Sequence, residues 1–519
     1  MAYSIKTGSG SGTGLETTAR FWKNHRSVYM DDTRPKDSGI PLDVKDGKVA
    51  ISEPENHCMV CGVSGKGKTR RELYPTVILS AREGRSMVIA DMKGEIYRNT
   101  AAEVRRCGHD IRVINLRDPM KGDRFSPLTL VKRCWDRGDR SRATVLLKDI
   151  AEIITAKIVS DRDGYWRQSA QDSFVGFALL LLEYDQELTF ENIQNLFNGC
   201  KDRRDDLLSK IGTDSESYRR LATILLLDSD ITYGCVVSEF NSAIGTYTDQ
   251  EDIRDLLYTS DIELTDIGRK PTAVYLMCPD ESTALYGIAS LFVEQCYSEL
   301  IRYADEREDN RLPVKVDFIL DEFGAFVGSD WPSKLTAARS RGIRFILALQ
   351  SMSQLVTRYG ESGARTIMAN CRTMVYMGGR DMKLMSEISL LSGYRDDPAT
   401  GMEKPVLSIN DLSALKQGEI VVLDDWGLPY IGKLPDWEEW NVRSRAFLSD
   451  TRRKPVRHDC IDMPTMIGIM REVMCGTGYG PEETDDELFK RIEREFRETE
   501  EENEPETDPF DADQNDLPF

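Results

Sequence analysis

The sequence predicts an α/β protein: a parallel sheet built from two separated stretches, a helical module inserted between them, and an acidic tail that does not fold. Three observations carry this. Short β-rich runs alternate with helical stretches from about Lys48, the pattern of a parallel sheet with helical crossovers. Between about 131 and 268 the period changes to that of helices, as in ATVLLKDIAEIITAKIV and QSAQDSFVGFALLLLEY, with few strand candidates. From Glu498 to Phe519 there are ten Asp/Glu and no Lys or Arg, a composition that cannot bury a core.

The chain accordingly divides into an N-terminal arm (1–47), the first part of a nucleotide-binding domain (48–130), an inserted all-α domain (131–268), the second part of the nucleotide-binding domain (269–440), a C-terminal extension (441–497) and a disordered acidic tail (498–519). The opening MAYSIKTGSGSGTG is Gly/Ser-rich and lacks the apolar segment of a signal peptide. Strand candidates in the first part are HCMVCGV, MVIADM and IRVINL. In the second part they are TAVYLMC, VDFILDEF, IRFILALQ and RTMVYMG. A charged helix is expected over Asp485–Arg497, ahead of the tail.

The bulk numbers fit a globular chain: 519 residues, 40% apolar and 30% charged, enough for more than one domain. The longest apolar run, Phe174–Leu182, is about half the length of a membrane-spanning helix. The 11 cysteines are odd in number and scattered, pointing to a reducing, cytoplasmic location. Cys58 and Cys61 form a CxxC without a second pair nearby and read as core residues rather than zinc or redox ligands. The net charge of −20 argues against a broad basic face, but half of it resides in the tail, leaving room for a local basic lining.

Gly62-Val63-Ser64-Gly65-Lys66-Gly67-Lys68-Thr69 fits GxxxxGK[ST] directly after a strand, the context a phosphate-binding loop requires. Its glycines let backbone N–H groups wrap phosphates ahead of a helix N-terminus. Lys68 is expected to reach the β- and γ-phosphates of ATP, and the Thr69 hydroxyl to ligate Mg²⁺. Phe318-Ile319-Leu320-Asp321-Glu322 is an apolar strand ending in two carboxylates. Asp321 is expected to hold Mg²⁺ through water and Glu322 to polarise the attacking water. Gln350 closes the next strand and is placed by a parallel sheet beside Glu322, where it can sense the γ-phosphate. Arg339, Arg341 and Arg344 precede that strand, and each is a candidate arginine finger for a neighbouring subunit's ATP.

At these residues the chain resembles the cytosolic part of type IV secretion coupling proteins, the TraG/TraD-like group related to FtsK and HerA motors, over roughly 50–435. The resemblance rests on LDEFGAF, AARSRGIRFILALQSMSQLVTRYG and IMANCRTMVYMGGRDMKLMSEISLLSG, supported by MVIADMKGE, RFSPL, Tyr165-Trp166 and GLPYIGKLP. It implies a RecA-like domain with an inserted all-α domain, and a hexamer around a DNA channel with ATP at subunit interfaces. It also implies Arg339 as the trans-acting arginine, Gln350 as the glutamine sensor, and Asp91 and Lys93 near the nucleotide. The implied function is a DNA-dependent ATPase that recruits relaxase and DNA and drives their transfer through the secretion channel. Without transmembrane helices, such a motor docks on a separate membrane partner at the inner face of the membrane. The alternatives are a soluble HerA/FtsK-like translocase in defence or repair, and a non-hydrolysing adaptor for secreted proteins. The tip, DPFDADQNDLPF, resembles that of bacterial single-stranded DNA-binding proteins. Leu517, Pro518 and Phe519 would then recruit host replication or repair proteins through an apolar pocket and a terminal carboxylate.

Overall fold

The computed structural model describes residues 14–475, apart from 159–163, 280–284, 329, 398–400, 426, 443–444, 450 and 457–458. The helix expected over Asp485–Arg497, the acidic tail and the Leu517–Phe519 tip lie outside the described residues.

The main sheet has nine strands: β1 (Cys58–Cys61), β2 (Ser86–Asp91), β3 (Asp110–Asn115), β4 (Thr272–Met277), β5 (Val316–Leu320), β6 (Ile343–Leu349), β7 (Thr373–Tyr376), β8 (Glu419–Leu423) and β9 (Tyr430–Lys433). Their spatial order is β9-β8-β7-β1-β6-β5-β2-β4-β3. From β7 across to β3 every pairing is parallel. At the other edge β8 and β9 form an antiparallel meander on β7. The α/β class is as expected, while β8 (EIVVL) is a strand the sequence analysis did not single out.

Strict alternation of side chains builds two cores, one on each sheet face. Met59, Cys61, Val88, Ala90, Val274, Leu276, Phe318, Phe345 and Leu347 face one core. Cys58, Val60, Met87, Ile89, Tyr275, Ile319, Ile346 and Ala348 face the other. Both CxxC thiols are fully buried, and burial pushes Cys58 up to about 11 and Cys61 up to about 12.

Between the adjacent parallel strands β3 and β4 the described residues form helices and no strand, including Arg140–Ile154, Tyr165–Glu183, Phe190–Gly199 and Asp230–Thr248. Their apolar faces belong to the same core as the first sheet face. The apolar run 174–182 is buried inside helix Tyr165–Glu183. Among the described residues no helix is long and apolar enough to cross a membrane. The last described helix, Met463–Cys475, packs on Phe190–Gly199 and Arg204–Lys210.

The stretch expected as an arm carries structure from Thr18 onward. A helix (Thr18–Asn24) and an antiparallel three-stranded sheet (Arg26–Tyr29, Lys48–Ile51, Pro41–Lys45) cover the second core. Phe21 stacks on Tyr430 at 3.7 Å, Trp22 Nε1 donates to Asp43 at 2.9 Å, and the Tyr430 hydroxyl donates to the same carboxylate at 2.7 Å. His25 bonds through both ring nitrogens, to the Phe21 carbonyl and to Asp424 at 2.5 Å. Burial opposes protonation of this ring, but Asp424 and the Phe21 carbonyl outweigh it and raise its pKa.

Candidate nucleotide site

In a parallel sheet the loops after the strands gather on one edge. Here that edge holds a cleft of about 530 Å³ lined by the loop after β1, the residues after β2, the end of β5 and the residues after β6. The loop 62–69 is held from beneath: Gly62 N–H donates to the Leu349 carbonyl at 3.1 Å and Val63 N–H to the Gly378 carbonyl at 3.2 Å. Gly65 and Gly67 have φ of 82° and 92°, a region closed to most side chains. Lys68–Leu73 then forms a π-helical turn that continues into helix Tyr74–Glu83.

Lys68 is buried and its ammonium donates to the Gly62 carbonyl at 2.6 Å. It curls over its own loop, where a phosphate oxygen would be a stronger acceptor. The Thr69 hydroxyl lies 3.4 Å from Asp321 Oδ2. Asp321 is pushed up to about 7, by burial first and by the adjacent Glu322 second, against the pull of Lys68. Asp91 contributes to the same effect. A buried carboxylate with a second carboxylate beside it suits a divalent cation. This donor set, one hydroxyl and one carboxylate beside a phosphate loop, fits Mg²⁺ bound together with a nucleotide.

Glu322 is half-buried and sits in the left-handed region, with φ 55° and ψ 44°. That turn swings its carboxylate toward the end of β6, where Gln350 Nε2 donates to Glu322 Oε1. Gln350 N–H in turn donates to Gln354 Oε1 at 3.4 Å.

The structure separates the three arginines. Arg344 is no finger: it lies in the interior of β6, fully buried, in register with Asp317 of β5. Its Nε donates to Asp317 Oδ1 at 3.0 Å, and Arg85 Nε reaches the same oxygen at 2.8 Å. A strand places alternate side chains on opposite faces, so Arg344 follows Ile346 and Ala348 into the second core. Arg341 is tied to Asp305 at 2.9 Å and to the Ala337 carbonyl at 3.1 Å. Arg339 is exposed and forms no hydrogen bond or ion pair through its side chain among the described residues. It precedes β6, whereas Gln350 follows it. Seven residues at about 3.3 Å each put roughly 20 Å of strand between them, so Arg339 cannot reach the cleft of its own chain.

The helix Trp331–Ala338, which leads into the turn carrying Arg339, is seated by His57. One ring nitrogen pairs with the Leu335 carbonyl at 2.7 Å and the other accepts from Phe345 N–H at 2.9 Å. Burial lowers this ring to about 4.

Several residues at the site were given no individual role from sequence. Asp381 caps helix Met382–Leu391 and also accepts from Met352 N–H at 3.0 Å, fixing the segment after Gln350. Gly379 (φ 158°) passes so close to Val63 that a Cβ would sit 2.8 Å from its methyl. Asp91, whose role the sequence left open, is buried at the N-terminus of helix Glu95–Arg106 and accepts from Tyr97 N–H at 2.7 Å. Burial pushes it up to about 6 against the backbone donors of 93 and 95–97. Lys93 is exposed on the wall of the cleft.

Known proteins place this architecture. A family model described as "Type IV secretory system Conjugative DNA transfer" matches residues 14–395. The chain belongs to that family. Protein VirD4 of Agrobacterium fabrum (strain C58 / ATCC 33970) is 24% identical over 364 residues, which is 67% of this chain and 51% of that protein. The type IV secretion system-coupling protein VirD4 of Bartonella quintana (strain Toulouse) is 28% identical over 154 residues, 29% of this chain and 23% of that one. The chain therefore spans about half the length, or less, of these relatives. Among solved structures, the bacterial conjugative coupling protein TrwBdeltaN70 in its unbound form aligns with a TM-score of 0.60 at 17% identity, covering 82% of this chain and 96% of that one. TrwB in complex with ADP and Mg²⁺ aligns with a TM-score of 0.58 at 17% identity, covering 79% and 94%. At such identities the likeness concerns the fold.

Proposed function

We propose that this member of the type IV conjugative DNA transfer family is an ATP-hydrolysing DNA motor that recruits a relaxase–DNA substrate and drives its transfer, working as a ring, in the family a hexamer, docked on the secretion channel or a separate membrane anchor. The observation that carries the reading is the convergence of Lys68, Thr69, Asp321, Glu322 and Gln350 on one cleft, with Gln350 gripping Glu322. Known TrwB structures with ADPNP and with ADP and Mg²⁺ support the choice of ligand.

Residues 62–69 would hold the phosphates, with Lys68 leaving the Gly62 carbonyl for them; Thr69 and Asp321 would hold Mg²⁺. ATP supplies the phosphoanhydride bond whose cleavage drives the motor. Glu322, on the cleft wall and held by Gln350, would orient water and accept its proton. Gln350 keeps Glu322 on that bearing. Arg339, out of reach of its own cleft, would stabilise transition-state charge in a neighbour's.

ATP turnover with and without single- and double-stranded DNA, for wild type and Glu322→Gln, tests the reading. Loss of turnover by about 10²-fold or more is expected, within the range of general-base catalysis; equal turnover would overturn it. Mixing Arg339→Ala chains with Glu322→Gln chains should restore part of the lost activity, because each supplies what the other lacks across an interface.

A further inference from the structure

A residue with a side chain keeps a left-handed backbone only where its surroundings over-determine it. Glu322 is such a residue, with φ 55° and ψ 44°. Its turn is closed by Ala325 N–H to the Glu322 carbonyl at 2.8 Å and Phe326 N–H to the Phe323 carbonyl at 3.1 Å. Those two bonds are internal and do not fix which way the turn faces. What presses on it from outside is the start of helix Met352–Asn370. This helix leaves helical geometry at Gly360, with φ 70° and ψ 170°. The segment facing the turn, 352–359, is therefore about two turns long and is oriented by its own contacts. Met352 and Leu355 are its buried side, and Asp381 accepts the Met352 N–H at 3.0 Å.

The segment meets the turn through Gln354 and Tyr359. Gly324 lies flat on Gln354: a Cβ at 324 would stand 2.6 Å from Gln354 Cβ and 3.1 Å from its Oε1. Gly324 is not in the left-handed region, so glycine stands there for space rather than for conformation. Further along the helix, the Tyr359 hydroxyl donates to the Phe326 carbonyl at 3.1 Å. Its ring stacks on Phe323 at 6.1 Å and 17°, and Phe323 is fully buried with Trp331 edge-on at 4.7 Å. The same Gln354 accepts from Gln350 N–H at 3.4 Å, and Gln350 donates to Glu322. Gln354 thus touches both sides of that last hydrogen bond, the backbone of its donor and the turn of its acceptor.

We propose that Gln354 is a positioning residue for the carboxylate that orients water: it brackets Gln350 and the turn after Glu322, with Tyr359 as a second hold on the same turn. Without an acceptor at 354 the Gln350 backbone loses its partner, and Gln350 no longer meets Glu322 at a fixed place. Without Gly324 against the Gln354 side chain the turn is pushed aside and carries Glu322 with it. A reacting group misplaced by about 1 Å costs about 10²-fold in rate. Nucleotide affinity, resting on residues 62–69 and Asp321, should stay. Gln354 also lines the cleft, so the division of an effect between kcat and KM decides whether it acts through Glu322 or on the nucleotide directly. The inference rests on the role proposed for Glu322, while the bracket itself stands on the contacts.

The test uses the full chain in three variants. Gln354→Met keeps length and helix propensity but offers only a weak acceptor. Gly324→Ala pushes the turn off an intact Gln354, and Tyr359→Phe drops the hydroxyl while keeping the ring. ATP turnover gives kcat and KM, and titration with a fluorescent ADP analogue and Mg²⁺ gives affinity. The expected result is a kcat lowered by about 10- to 100-fold in Gln354→Met and Gly324→Ala, and by less in Tyr359→Phe. KM and ADP affinity should stay within about twofold of wild type. Hydrogen exchange, read by mass spectrometry on the nucleotide-free chain, should quicken in Gln354→Met over 323–326 and 350–354 and stay unchanged inside β6. Turnover of Gln354→Met at the wild-type rate would overturn the proposal. So would a loss carried by KM and ADP affinity, which would put Gln354 on the nucleotide itself. If Glu322→Gln turned over like wild type, the role of Glu322 would fail on its own. Exchange would still decide the bracket, and unchanged exchange in Gln354→Met would remove it.

Discussion

Asp317 and Asp321 belong to the same short stretch of chain, one inside β5 and the other just past its end, and both are buried. Their chemistry is opposite. Asp317 is held below the ordinary carboxylate range: burial raises its pKa, but Arg344, Arg85 and the Ser80 hydroxyl outweigh it. Asp321 meets the same burial with another carboxylate beside it, and is pushed up to about 7. Burial alone therefore does not decide what a carboxylate does in this sheet. A carboxylate whose cations are built into the fold is structural, and one whose cation must arrive from solution is functional.

That contrast can be broken in steps of decreasing effect. Asp317→Ala leaves Arg344 and Arg85 buried without their carboxylate and should cost about 3–5 kcal/mol, read as a shift of the denaturation midpoint at constant slope. Asp321→Asn should leave the midpoint near wild type but weaken Mg²⁺-dependent nucleotide binding by about 10- to 100-fold, the range for groups that hold a metal through its water. If Asp321→Asn destabilised as much as Asp317→Ala, the distinction between the two would fall.

The pH dependences should run in opposite directions. The folded pKa of Asp317 is depressed, so its contribution to stability is present above the ordinary carboxylate range and is lost as pH falls through the folded value. The folded pKa of Asp321 is raised, so the metal-free chain loses stability as pH climbs from the ordinary carboxylate range to about 7, and is level above it. Denaturation series for Asp321→Asn should lack that decline, and the Mg²⁺ dependence of nucleotide binding in wild type should strengthen over the same interval. The smallest effect concerns Glu72, fully buried, with neither carboxylate oxygen hydrogen-bonded among the described residues. Burial raises it well above the usual range. Glu72→Gln removes an ionisation the interior opposes, and should raise Tm by about 1–2 °C at pH 8.

The chemistry that was legible in the sequence is contiguous. Residues 62–69 and Phe318–Glu322 each contain their own geometry: a strand, a turn and donors at fixed offsets. Gln350 beside Glu322 followed from one further step, because neighbouring parallel strands end on one edge. What was not legible depends on partners far along the chain. Asp381 serves the segment after Gln350 from across the sheet. Gly379 is needed because Val63 lies against it, and the helix Thr18–Asn24 is seated by Tyr430 and Asp424. Arg344 was readable in principle: it sits between apolar residues of β6 with the parity of Ile346 and Ala348, which marks a buried charge rather than a reaching one. The separation of Arg339 from its own cleft also follows from strand length alone.

The backbone at Glu322 has a consequence for anyone improving this protein by selection. A residue with a side chain held at φ 55° carries roughly 1–2 kcal/mol of conformational strain, which glycine would not. On the role proposed for Glu322, selection for heat tolerance alone would thus favour Gly at 322 and yield chains that are sturdier, correctly folded and without turnover. Screening of thermostable variants should include a turnover assay at every round, since at this position durability and work pull in opposite directions.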